Sequence, residues 1–417
     1  MIQRHTCENG LRIVTEKIPS VRSVAIGIWV GTGSKYENEQ NNGISHFLEH
    51  MFFKGTQTRS AKEIAETFDE IGGNVNAFTS KEYTCYYARV LDQHAPIALD
   101  VLSDMFFNSV FDSGELEKEK NVVIEEIGMY DDTPDDLVHD LIARASYGDH
   151  PLGYSILGTE DVLRSLKRDD LLQYIEQRYL PVNTVISVAG NFDDALTEEI
   201  KKRFSAYPST RQDTVVQAPA FLAGSIAHQK TTEQAHICFS LPGLPVGHED
   251  SYSLTLLNNV LGGSMSSRLF QEIREERGLA YSVYSYHSAY KETGTFTIYT
   301  GTAPEQVSQV FDIVSNLLRD VADNGITDKE LNKGKEQLKG SLMLSLESTS
   351  SRMSRLGKNE LLLKRHLSLD EVISKIDSVS HESVRAVAQQ LFRQKLALAM
   401  VSPLESFPAN VKNDILL

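Results

Sequence analysis

The sequence predicts an α+β fold of two homologous halves, each a mostly antiparallel sheet with helices packed on one face. Three observations lead there. One plan occurs twice: "NVNAFTSKEYTCYYARV", an apolar helix and "FDSGELEKEKNVVIEEI" are echoed by "SVYSYHSAYKETGTFTIYTG", another apolar helix and "ITDKELNKGKEQLKGSL". Both copies pass from alternating, strand-like stretches such as "RSVAIGIWVG" and "TGTFTIYTG" into segments of helical period such as "APIALDVLSDMFFNSV" and "APEQVSQVFDIVSNLLRDVADNG". Between them, residues 205–234 gather Pro, Ser, Thr, Gln and Gly and break the periodicity, which reads as a linker. A chain of 417 residues also exceeds what one hydrophobic core usually supports. The expected organisation is a catalytic domain over 1–215 and a homologous, non-catalytic domain over 225–417.

Composition narrows the function. An apolar fraction of 41% with 24% charged residues suits a soluble protein, and no stretch approaches the roughly 20 apolar residues that cross a bilayer. The N-terminus "MIQRHTCENGLRIVTEK" lacks the apolar core of a secretory signal, so a cytoplasmic protein is expected. Cys7, Cys85 and Cys238 are too few and too scattered for a disulfide framework or a thiolate metal cluster. Any metal must therefore be held by nitrogen and oxygen. A formal net charge of −16 argues against nucleic acid and favours neutral or basic partners.

The chemistry concentrates in "HFLEHMFFKGT", residues 46–56. On a helical wheel Ile44, Phe47, Leu48, Met51 and Phe52 form one stripe, while His46, Glu49 and His50 lie together on the other side. Spacing i, i+4 stacks the two imidazoles closely enough to share one ion. A catalytic zinc usually takes three protein ligands and leaves one position open, so a third ligand is required. In "DSGELEKEKNVVIEEIGMY" the apolar stripe runs through Leu116, Val123 and Ile127, and Glu119 and Glu126 border it, two turns apart and facing alike, whereas Glu117 and Glu125 point away. Carboxylates at a core edge are costly without a cation. Glu126 is the expected third ligand and Glu119 a supporting acid. Aligning the two halves sets Gly334 opposite Glu119 and Ser341 opposite Glu126, so chemistry belongs to the first half.

These residues resemble the pitrilysin-type zinc peptidases with the inverted His-x-x-Glu-His motif, and among them the short bacterial members similar to mitochondrial processing peptidase. The resemblance runs along essentially the whole chain, through "GTGSKYENEQNNGISHFLEHMFFKGT", "FTSKEYTCYYARV", "VVIEEI", "HPLGYSILGTEDVLRSL" and "REERGLAYSV". It implies one zinc per chain on His46, His50 and Glu126, Glu49 as general base and Glu119 as an additional active-site acid. It further implies that Arg274 and Tyr281 reach the substrate from the second half, and that this half completes a substrate chamber.

Gly72-Gly73 marks a turn into a short strand, Asn74 to Thr79, whose edge suits pairing with an extended peptide. The resemblance assigns such pairing to Asn76 and Ala77, and it places Asp136 and Asp140 where relatives hold an arginine near the cleaved bond. Paired carboxylates suit a guanidinium fork, although acids at a helix start are also stabilising by themselves. The expectation is a peptidase for peptides or unfolded precursor segments, preferring basic residues, acting as a homodimer without nucleic-acid or membrane partners. The competing readings are a non-catalytic peptide-binding or assembly subunit and a hydrolase of another substrate class.

Overall fold

The structure is a computed structural model and describes residues 2–208 and 217–414. Residues 209–216 of the expected linker, and with them the domain boundary at 215, lie outside the described residues. The chain divides into two compact units. Unit 1 comprises Met1–Ile127, Ser155–Val216 and Met343–His366; unit 2 comprises Gly128–Tyr154, Gln217–Leu342 and Leu367–Leu417.

Unit 1 holds a six-stranded sheet of β1 (Ile2–Thr6), β2 (Arg12–Lys17), β3 (Ser23–Val30), β4 (Asn74–Thr79), β5 (Thr84–Leu91) and β6 (Thr184–Gly190), in the order β1-β2-β6-β3-β5-β4. All pairs are antiparallel except β2 with β6. Alternation along the strands separates two faces. Ile26, Ile28, Tyr86, Ile186 and Val188 pack with Phe47, Leu48, Met51, Leu99 and Leu102 of the helices Ile44–Met51 and Ala95–Asn108. The intervening Ala25, Trp29, Cys85 and Val185 face the other way.

Unit 2 repeats the plan with β7 (Ser225–Gln229), β8 (Ala235–Pro242), β9 (Ala280–Ala289), β10 (Gly294–Thr302) and β11 (Ala397–Ser402), in the order β7-β11-β8-β10-β9. Only β7 with β11 is parallel. Helices Ser251–Leu261, Val307–Asn324 and His381–Phe392 bury Leu257, Val314 and Val387 in its main core.

The α+β class with mostly antiparallel sheets therefore holds, and each sheet in addition carries one helix on its second face. The compact units also differ from the contiguous stretches 1–215 and 225–417. Helix Pro134–Tyr147 buries Val138, Ile142 and Ala145 against Cys238, Tyr299, Ala397 and Ala399 of the second sheet. Helix Thr349–Lys358 buries Met353 and Leu356 against Val14, Ala25, Trp29, Cys85 and Val185 of the first. The physical reason is the second apolar face of each sheet, which must be covered whatever the chain order of the covering helix. A buried carboxylate completes the attachment in unit 1: Glu360 accepts from Arg4 Nε at 2.9 Å and lies 2.9 Å from His366 Nε2, while its carbonyl accepts from Arg12 Nη1 at 2.8 Å. Among the described residues no helix is long and apolar enough to cross a membrane.

Helix Thr349–Lys358 meets the chain's one tryptophan at a glycine. A Cβ at Gly357 would stand 2.2 Å from Trp29 Nε1, which donates to Ser187 Oγ at 2.8 Å. Gly357→Ala should destabilise unit 1 by about 1–3 kcal/mol, the usual cost of overpacking. Urea unfolding followed by Trp29 fluorescence measures this; an unchanged midpoint would show that the ring yields freely.

Candidate metal centre and active site

The ligand helix Ile44–Met51 lacks a side chain that caps it locally. Its free N-terminal amides are satisfied instead by Glu37, a buried carboxylate that accepts from Gly43 N at 2.7 Å, Ser45 N at 2.9 Å and Asn42 Nδ2 at 3.0 Å. Burial pushes the Glu37 carboxyl up, against the opposing pull of these donors. Gly43 has φ +96°, and a Cβ there would meet Leu157 O at 2.6 Å. The helix thus starts where backbone, glycine and carboxylate coincide. Ser45 Oγ lies 2.8 Å from Tyr174 OH, which lies 3.1 Å from Thr32 Oγ1 and ties the same turn to the core.

With Ile44, Phe47, Leu48 and Met51 buried, His46, Glu49 and His50 share the remaining face. The two rings lie 4.7 Å apart between centroids. Helix Ser113–Asp132 begins at Asp112, whose Oδ1 accepts from Gly114 N and Glu115 N, and it buries Leu116 and Val123 beside the ligand helix core. That packing delivers Glu119 and Glu126 to the histidines, while Glu117 and Glu125 are exposed.

His46, His50 and Glu126 each present one donor atom, all within 4.8 Å of one another. Glu126 Oε2 stands 3.8 Å from His46 Nε2 and 3.6 Å from His50 Nε2, too far for hydrogen bonds. Ligands at about 2.0–2.2 Å from a tetrahedral zinc are themselves about 3.3–3.5 Å apart. The two sides that meet at Glu126 therefore need a contraction of a few tenths of an ångström to fit zinc, and the nitrogen and oxygen donors are ones that zinc accepts.

The surroundings set the protonation of the donors. Burial, helped by His50, pushes His46 down to about 3, so its ring is neutral at physiological pH. His50 is also pushed down by burial, but the hydrogen bond and charge of Glu119, with Glu126 and Glu49, outweigh this and raise it. An ion must therefore displace a proton more readily held on His50 than on His46. His50 Nδ1 lies 2.8 Å from Glu119 Oε1. Since an ionised carboxylate only accepts, Nδ1 carries the hydrogen and Nε2 is the ligand atom in the neutral ring. Burial pushes Glu119 up, yet its bonds to His50 and Lys54 prevail and lower it. His46 Nδ1 is buried without a hydrogen-bond partner among the described residues.

Glu49 accepts from Thr79 Oγ1 at 2.6 Å. Burial raises its pKa, reinforced by Glu126 and opposed by Thr79 and His50. Thr79 ends β4, an edge strand paired to β5, on which Asn76 and Ala77 also lie; Asn76 Oδ1 accepts from Ala77 N at 2.8 Å.

The other expected residues belong to unit 2. The Arg274 guanidinium stacks between the rings of Phe270 at 4.7 Å and Tyr281 at 4.6 Å, and Tyr281 is 77% exposed. Asp136 and Asp140 lie one turn apart on Pro134–Tyr147, on either side of His139, whose ring nitrogens are 2.7 Å from Tyr286 OH and 3.0 Å from Tyr284 OH. Sequence reasoning passed over Glu37, Lys54 and Thr79. Lys54 follows His50 by four residues, a visible helical spacing, but a lysine there reads as surface; Glu37 and Thr79 carry no periodic signal at all.

Residues 12–160 match the family described as Insulinase (Peptidase family M16), and residues 165–338 match its Peptidase M16 inactive domain. A Bacillus subtilis protein named as the uncharacterized zinc protease YmxG is 59% identical over 98% of this chain and 100% of its own. A Streptomyces coelicolor protein, also named as an uncharacterized zinc protease, is 42% identical over 99% of this chain and 92% of its own. Among solved structures, a peptidase M16 inactive domain from Pseudomonas fluorescens shares the fold with a TM-score of 0.90 at 21% identity, covering 98% of this chain and 99% of that one. A protease from Helicobacter pylori does so with a TM-score of 0.88 at 22% identity, covering 97% and 99%.

The neutral, buried His46 has a consequence for stability. Its pKa is about 3 when folded and about 6.5 when unfolded, so on acidification the unfolded chain takes up the proton first. This share of stability is complete above about pH 6.5 and is lost progressively down to about pH 3. In chelator-treated protein, the stability of wild type should fall by up to about 2 kcal/mol more than that of His46→Gln between pH 6.5 and 5. Parallel melting-temperature profiles for the two proteins would refute it.

Proposed function

The chain belongs to the insulinase family, peptidase family M16, and from that membership we propose that it is a zinc-dependent endopeptidase acting on peptides or unfolded precursor segments. The observation that carries the reading is the meeting of His46, His50 and Glu126 donor atoms within 4.8 Å, beside an acid able to handle a proton. The two histidine Nε2 atoms and a Glu126 oxygen would hold one ion. When bound, zinc acidifies a coordinated water and polarises the carbonyl of the bond to be cut.

The chain's own residues do the rest. Glu49, raised by burial and held at Oε2 by Thr79, takes a proton from the attacking water and returns it to the departing amine. Glu119 keeps the His50 ring turned so that Nε2 is the electron-pair donor. The open edge of β4 takes the substrate backbone as an added strand beside Asn76 and Ala77, which reads no side chain. From the resemblance, Arg274, which lies over the rings of Phe270 and Tyr281, and Tyr281 itself contribute hydrogen-bond donors to the substrate. Selection for a basic residue near the cleaved bond falls to Asp136 and Asp140.

Glu49→Gln keeps the ligand triangle and removes the proton carrier. Metal analysis should find zinc retained, while turnover of a peptide library falls about 10²–10⁴-fold; chelator should abolish wild-type turnover. A wild type that binds zinc but cleaves nothing would favour a peptide-binding subunit and defeat the proposal.

The basic preference is tested separately. A peptide with arginine beside the cleaved bond should be cut faster than its alanine counterpart, and Asp136→Asn with Asp140→Asn should remove most of the difference. Equal rates for the two peptides on the wild type would remove this part of the reading.

A further inference from the structure

We infer that Lys54 is a positioning residue for the metal centre, acting on the ligand His50 through Glu119; the inference rests on the zinc-peptidase reading. Lys54 Nζ lies 2.5 Å from Glu119 Oε2, and Glu119 Oε1 lies 2.8 Å from His50 Nδ1. His50 Nε2 in turn faces Glu126 Oε2 at 3.6 Å. Lysine, carboxylate and imidazole thus form one chain that ends at a donor atom of the centre.

Burial separates this chain from an ordinary surface ion pair. The Glu119 side chain is 6% exposed, so its two oxygens are satisfied by protein, one by each neighbour. Surface pairs contribute little because water competes; a buried carboxylate that loses one of two partners is left with an unmet acceptor. It then turns toward other donors, and the His50 ring turns with it. The other imidazole has no such guide, since His46 Nδ1 is buried without a partner among the described residues. Orientation of the pair of rings therefore rests on the side where Lys54 stands.

Local structure places Lys54 there. Beyond the ligand helix the chain continues one tight turn, with Phe53 N donating to His50 O and Lys54 N to Met51 O at 3.1 Å each. Phe52 anchors that turn against Tyr86, Phe111 and Tyr179, and Gly55 at φ +108° ends it. Four residues past His50, the lysine side chain reaches back along the face that carries the ring.

The test measures zinc affinity by competition with a chromogenic chelator in the full-length protein. Lys54→Met should weaken binding about tenfold, at the lower end of what outer partners of a metal ligand contribute, and Glu119→Gln by more. Lys54→Arg, which keeps the cation, should stay within about threefold of wild type. In a Glu119→Gln background, Lys54→Met should add less than about twofold, because its route to His50 is already cut. Unchanged affinity in Lys54→Met, or an equal loss in both backgrounds, overturns the inference. If Lys54→Met proves unfolded by Trp29 fluorescence, Lys54→Gln serves the same comparison, with Lys54→Arg as rescue. A wild type that binds no zinc refutes the peptidase reading itself; one that binds zinc indifferently to Lys54 refutes this inference alone.

Discussion

Three electron-pair donors from two helices must stay within a few ångströms of one another at a partly buried site, and no local property of either helix can ensure that. Without an ion, the buried face of His46 opposes a charge while the acids around His50 invite one. The pocket holds because Leu48 and Met51 on one helix and Leu116 and Val123 on the other belong to a single core. Apolar burial supplies the force, and the polar groups are carried into place by it.

Several buried charges of unit 1 are met by hydrogen-bond or ionic partners. Glu37 takes the free amides of the ligand helix, and Lys35 meets Glu82 at 2.6 Å with both side chains nearly inaccessible. Glu360 gathers Arg4, Arg12 and His366, and so secures a segment that arrives from far along the chain. Buried pairs contribute little net stability compared with apolar replacements, but breaking one leaves an uncompensated charge. These contacts tie the ligand helix, the β4–β5 turn and the 343–366 segment to the rest of unit 1.

The two units show how one plan diverges. Both place a sheet under main helices and cover its second face with one further helix. In unit 2 the positions aligned with Glu119 and Glu126 are Gly334 and Ser341, and the conspicuous charges have moved. Arg268 there clamps Glu330 through Nε and Nη2 and reaches Asp320, an arrangement that lowers Glu330 to about 2 against its burial. Where unit 1 brings together possible metal ligands, unit 2 has an ion-paired brace.

Residue order alone determined the features that repeat with a backbone period. The His-x-x-Glu-His face, the apolar stripe behind it and the placing of Glu119 and Glu126 at a core edge were legible because i, i+4 and i, i+7 relations are set by the helix itself. The α+β class followed from the same periodicities and from the internal echo. Only tertiary structure decided that Glu37 caps the ligand helix, that Thr79 holds Glu49, that Lys54 meets Glu119, and that helices 134–147 and 349–358 cover sheets built mainly from the other part of the chain. Those contacts join residues from six to several hundred positions apart, and which of them form depends on where the remaining apolar surface can be buried, a property of the whole folded chain and of no stretch within it.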